Sequence, residues 1–114
     1  MILRKLADQP TETNITLCDG LFVKHAIFAK DSFVPQHSHE TDHLTVVATG
    51  AVRAWANEVL LGDFHAPAGI VIKAHVQHLF LALEPMTALL CIHRVDETGE
   101  PAVIDEPHFV KYED

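Results

Sequence analysis

His37-Ser38-His39-Glu40-Thr41-Asp42-His43-Leu44-Thr45-Val46-Val47-Ala48-Thr49-Gly50 is the stretch from which the fold is read. In extended backbone, side chains at i and i+2 share a face, so His37 and His39 would project together from a strand. A pair of that kind arises easily by chance in a chain with nine histidines among 114 residues. The longer spacing His37-x-His39-x3-His43-x6-Gly50 does not, being expected in well under about one such chain in a hundred. Pro35 stiffens the approach to this segment, and Thr49-Gly50 supplies a turn that sends the strand carrying His43 back on itself.

Working outward, the chain reads as short strands separated by turns. Leu21 to Ala29, Leu44 to Ala48, Ala51 to Trp55, Ile70 to Ile72, Gln77 to Leu83 and Met86 to His93 are apolar, partly β-branched runs. They are too short and too closely punctuated for helices. Thr49-Gly50 between two of them gives a hairpin-like signal, and Glu84-Pro85 gives the turn between the last two. Turn signals recurring every ~8–12 residues point to an all-β sandwich or barrel. In the strand beginning at His78, His78, Phe80 and Ala82 take one face and Leu79, Leu81 and Leu83 the other. One face lines a cavity, and the apolar outer face suits a subunit interface in a homodimer.

The length fits one domain, with a barrel core at about 14–95 and an acidic C-terminal tail at 96–114. Apolar residues make up 48% of the chain, too many for a disordered one. Sixteen acidic against eight basic residues give a formal charge of −8, which argues against a nucleic-acid or anionic-membrane surface. No apolar run approaches the ~18–20 residues of a membrane span, and Met1 to Asp8 does not read as a signal peptide. A cytoplasmic location is the expectation. Cys18 and Cys91 lack a CxxC spacing and read as free thiols of a reduced compartment, with a disulfide or a reactive thiol as the alternative.

The segment from His37 to Gly50 resembles the first motif of the cupin superfamily, in which His-x-His, three or four residues, Glu, six residues and Gly line a small β-barrel. His37, His39 and Gly50 match it, His43 stands where the family has Glu, and Asp31 stands where it usually has Gly. The second motif, Gly, five residues, Pro-x-Gly, two residues and His, survives in outline. Lys73-Ala74-His75-Val76-Gln77-His78 lies over Pro-x-Gly-x-x-His, with His75 replacing the Gly, and Gly62-Asp63 stands for its opening, at a longer spacing. The resemblance spans about residues 30–93. It implies a single cupin-type barrel (a double-stranded β-helix or jelly roll) with one divalent transition metal on His37, His39, His43 and His78. Fe(II) or Zn are the first expectations for that metal, with Ni, Mn or Cu as alternatives.

Neutral imidazole is the usual ligand for these ions, and a barrel can bring the three early histidines opposite His78. Replacing the family's Glu by His43 leaves the site one unit more positive, which favours an anionic ligand at an open position. The departure resembles the histidine-only sites of some dioxygenases and polyketide cyclases. It implies dioxygenase-like or Lewis-acid lyase, isomerase or cyclase chemistry on a small anionic molecule. The alternative is a non-enzymatic module that binds a small ligand, and the fold alone does not separate the two. The other histidines, His65, His93 and His108 among them, read as ordinary surface or structural residues; a place lining the cavity is the alternative for His25, and a place at its rim the alternative for His75. Arg53 and Trp55 share a strand face and read as a solvated Arg beside a packed Trp, with anion binding as the alternative. Glu40 and Asp42 flank the ligands and are expected to face solvent, so no general base is nominated.

Overall fold

A computed structural model describes residues 2–6, 10–35, 41–95 and 109–113. They form eleven strands: β1 (Ile2–Leu6), β2 (Glu12–Cys18), β3 (Leu21–Phe28), β4 (Phe33–Pro35), β5 (His43–Thr49), β6 (Ala51–Ala56), β7 (Val59–His65), β8 (Ala68–Ile72), β9 (His78–Ala82), β10 (Thr87–Arg94) and β11 (Phe109–Glu113). There is no helix among the described residues, and so none long and apolar enough to cross a membrane.

Nine of the strands make two antiparallel sheets, ordered β2-β3-β10-β5-β8 and β4-β9-β6-β7. Short connections join β3 to β4, β5 to β6, β7 to β8 and β9 to β10, so each strand of the smaller sheet has a counterpart in the larger. Strand β2 has no such counterpart and is exposed along its whole length. Strands β1 and β11 pair with each other, Ile2 with Glu113 through Leu6 with Phe109, which places part of the acidic 96–114 segment in a strand.

Alternation along each strand builds the core between the two sheets. Ala26 and Phe28, Val47, Ile70 and Ile72, and Leu89 point inward from the larger sheet, and Val34, Val52, Ala54, Phe80 and Ala82 from the smaller. Phe80 is fully buried and worth about 1.5–3 kcal/mol of transfer free energy on its own. Outside the smaller sheet, Leu79 is buried against Phe33, Trp55 and Leu81. The apolar outer face expected from Leu79 and Leu81 is therefore partly covered by the strands beside it.

Thr49-Gly50 is a crossing between sheets and not a hairpin, because β5 pairs with β10 and β8 while β6 pairs with β7 and β9. Gly50 has φ +77°, and a Cβ there would lie 2.9 Å from Thr87 Cα. Asp31 (φ +69°) and His75 (φ +62°) hold left-handed backbone at the two positions where the resembled motifs carry Gly. Asp and His enter that region more readily than most residues, so both turns keep their shape without glycine.

Candidate functional site

The strand connections define two ends of the sandwich. One end holds Gly50, Asp31 and Glu84-Pro85, where the chain passes between sheets. The candidate site lies at the other. His43 is the first residue of β5, seven before Gly50. His78 is the first residue of β9 and pairs with Ala56, the last residue of β6. His93 is the next-to-last residue of β10, beside the start of β5. All three lie on inner faces, His43 and His93 on the larger sheet and His78 on the smaller.

His43 is 7% exposed and His78 2%. The rings of His43 and His93 lie with centroids 4.2 Å apart and planes 33° from parallel. On its other side His93 meets Phe22, centroids 5.8 Å apart at 56°. The three rings form a row across β5, β10 and β3 that limits how each imidazole can turn.

His78 is oriented by its turn. Its Nδ1 lies 3.3 Å from the Val76 carbonyl oxygen. A carbonyl only accepts, so this bond puts the proton on Nδ1 and leaves a lone pair on Nε2. Burial holds the imidazole below its usual pKa, more than the bond to Val76 raises it. A neutral ring with a free Nε2 lone pair is what a divalent transition metal requires of a histidine, and the second-sphere carbonyl bond is the usual companion of such a ligand.

The turn before His78 is tied to the start of β5. Ala74 N donates to Asp42 Oδ1 at 2.7 Å, and Lys73 Nζ lies 3.4 Å from Asp42 Oδ2. The amide of Ala74, aided by Lys73, holds the Asp42 carboxyl below its ordinary range against an opposing effect of burial. Asp42 faces solvent, as expected, and also fixes the backbone between two candidate ligands. On the other flank, Asn57 Oδ1 accepts from Gln77 N at 3.0 Å.

Of the four expected ligands, the structure brings His43 and His78 to one end of the barrel. His37 and His39 lie outside the described residues, as do Glu40 and His108. Among the described residues no group of three or more His, Cys, Asp or Glu side chains is placed to hold a metal ion. His25 does not line the cavity: it is exposed on the outer face of β3, because it alternates with Lys24 and Ala26. His75 is exposed in the turn at the site end, and His65 is exposed at the opposite end. Arg53 is paired with Asp63 through two bonds, Nε to Oδ1 at 2.8 Å and a terminal guanidinium nitrogen to Oδ2 at 3.1 Å, outside the smaller sheet. By sequence His93 reads as surface or structural; the structure sets its ring against His43. Its signal in the sequence is Cys91-Ile92-His93, where period-two alternation puts Cys91 and His93 on the same face as the core residue Leu89.

No protein-family model matches the chain, and no curated protein does. Solved structures do. A cupin 2 domain-containing protein from Halorhodospira halophila superposes with a TM-score of 0.61 at 12% identity, over 86% of this chain and 84% of that one. A cupin-2 domain containing protein from Shewanella frigidimarina gives 0.60 at 16%, over 76% and 83% of the two chains. The structure of KdgF from Halomonas sp. gives 0.57 at 20%, over 80% and 76%. At such identities the likeness is one of fold: the chain has the cupin-type β-barrel fold of these proteins.

Proposed function

We propose that the protein is a metal-binding cupin acting on a small, anionic organic molecule at the end of the barrel that carries His43 and His78. One observation carries the reading: two buried imidazoles at the same end of facing sheets, one of them with its tautomer set for ligation through Nε2. His37, His39, His43 and His78 would hold one divalent ion, Fe(II) or Zn first, with Ni, Mn or Cu as alternatives. Such an ion would supply a Lewis acid and an attractive position for an anion. The chain itself supplies His78 held neutral and oriented, His43 kept in plane by His93, and apolar walls from Ile72 and Phe80 that exclude water. A cytoplasmic location and a homodimer belong to the same reading, supported by free cysteines and by exposed apolar side chains such as Val59, Leu60 and Val71.

A second reading, a binding module without catalysis, is favoured by a specific observation. Each Asp and Glu between residues 10 and 35 and between 41 and 95 is exposed, so none of these carboxylates is set inward as a general base. Metal content and coordination geometry of protein purified without added metal test the common part. Chelator competition then tests His43: His43→Ala should lower metal affinity, and His43→Glu should retain the metal while weakening anion binding. Unchanged affinity in His43→Ala would remove His43 from the ligand set. Turnover in wild type that is lost on chelation would favour the enzyme over the binding module.

A further inference from the structure

We propose that Lys24 anchors the carboxylate of a small organic acid whose apolar body lies against Ile15, Leu17 and Phe22. This rests on the reading of the histidine end as a small-molecule site.

Lys24 points inward. It shares a face of β3 with Ala26 and Phe28, which are 4% and 6% exposed, and is itself half-buried. Its cross-strand neighbours are Ile15 on β2 and Cys91 on β10. Between residues 10 and 35 and between 41 and 95 the other cations lie elsewhere: Arg53 on Asp63 and Lys73 on Asp42, both outside the barrel, with Lys30 and Arg94 exposed. Among the described residues Lys24 makes no ion pair, in a chain with twice as many acidic as basic residues.

A lysine whose stem lies along apolar surface on an inner face sets its ammonium where an anion resting on that same surface can pair with it. The groups around it are apolar. Ile15 and Leu17, on the same face of β2, are 54% and 62% exposed because no strand of the smaller sheet stands opposite them. Phe22, next along β3 on that face, leans on His93. Two strand spacings of ~4.8 Å separate Lys24 from the β5 strand that begins at His43, so one small ligand can touch both. Burial pushes the Cys91 thiol up, while the Thr45 hydroxyl bonded to it and then the charge of Lys24 across the strands pull in the opposite direction. A cation bordered by apolar surface selects a monocarboxylate with an apolar body over a polar polyanion. The rival explanation is a lysine whose stem covers apolar surface while its ammonium stays in water.

Benzoate and its neutral counterpart benzamide separate the two. Each is titrated calorimetrically at low ionic strength into wild type, Lys24→Met and Lys24→Arg, with and without chelator treatment. Wild type should prefer benzoate by about tenfold or more, the value of one charge-assisted bond. Lys24→Met should lose that preference while keeping benzamide affinity and metal content, and Lys24→Arg should keep it. Equal affinities in wild type, no saturable benzoate binding, or a preference that survives Lys24→Met would each overturn the proposal. So would a preference that vanishes on chelation with Lys24 intact, because the anion would then sit on the metal. A protein that holds no metal yet shows the Lys24-dependent preference would defeat the metal reading and leave this one standing. Should Lys24→Met fail to fold, amide shifts on benzoate addition decide: changes centred on Phe22, Lys24 and Cys91 support the site, and changes centred elsewhere sink it.

Discussion

Gly50 and Gly20 offer a matched pair for measuring what the crossing between sheets demands. Their φ values are +77° and +78°, so an alanine at either meets the same left-handed backbone. That conformation costs an L-residue about 1–2 kcal/mol. The surroundings differ. A Cβ at Gly20 meets nothing within 4 Å, whereas at Gly50 it lies 2.9 Å from Thr87 Cα and 3.1 Å from Thr87 Cβ. Thr87 has little room to retreat: it is fully buried, and its Oγ1 donates to the Glu84 carbonyl at 2.8 Å. Overpacking against such a neighbour adds about 1–3 kcal/mol. Alanine recovers about 0.5–1 kcal/mol by restricting the unfolded chain, so Gly20→Ala should lose about 0.5–1 kcal/mol and Gly50→Ala about 1.5–4 kcal/mol. At about 4 °C per kcal/mol for a domain of this size, Tm should fall by about 2–4 °C and 6–16 °C respectively. Urea unfolding followed by the fluorescence of Trp55, half-buried against Phe33 and Leu79, reads both variants on one scale. Equal losses at the two positions would refute the argument, because backbone conformation alone would then account for Gly50.

The two left-handed residues Asp31 and His75, where the resembled motifs carry Gly, predict the opposite sign. Asp31→Gly and His75→Gly should each stabilise by about 0.5–1 kcal/mol, the relief of left-handed strain less the entropy glycine adds to the unfolded chain, measured by the same unfolding. Asp42 predicts a pH dependence. Its folded pKa is held below the ordinary 3.8, chiefly by the Ala74 amide, so its stabilisation is complete above that value and is lost as pH falls through the lower, folded value. The stability difference between wild type and Asp42→Asn should therefore be larger at neutral pH than in strong acid, and an equal difference at both would show that the carboxylate charge contributes nothing.

What the sequence made legible follows from which signals are local. Turn chemistry and β-branched runs are local, so strands β3, β5, β6, β8, β9 and β10 could be read from residues such as Ile70-Val71-Ile72. Edge strands carry a weaker signal. In β2 the alternation of Ile15 and Leu17 faces no opposing strand, and in β7 Asp63 interrupts the apolar run on its exposed side. Sheet membership is not local at all. Thr49-Gly50 has the composition of a hairpin turn, yet β5 pairs with β10 and β8 while β6 pairs with β9 and β7, so the two strands it joins are not partners. The same holds for the site. His78 becomes a candidate through its place in a motif, whereas the meeting of His93 with His43 depends on β10 lying beside β5, fifty residues on.

The distribution of side chains explains why both motifs can be degenerate and still give one fold. At the crossing end the chain is held by bonds that do not depend on the histidines: Thr49 Oγ1 donates to the Met86 carbonyl at 2.8 Å and accepts from Ala88 N at 3.2 Å, beside the Gly50–Thr87 contact. Those interactions fix β5 against β10 and so carry His43 to His93 at the far end. The far end buries imidazoles, which contribute less to stability than an apolar side chain of equal size because each ring nitrogen loses water on burial. A Glu in place of His43, as the resembled motif has it, would thus alter the charge at this end without touching the contacts that close the barrel. The Asp31 and His75 turns tolerate their own departures because only backbone conformation is asked of them. Fold and site are separable along the strand axis, and selection on ligand chemistry can act at one end while the other keeps the sheets in register.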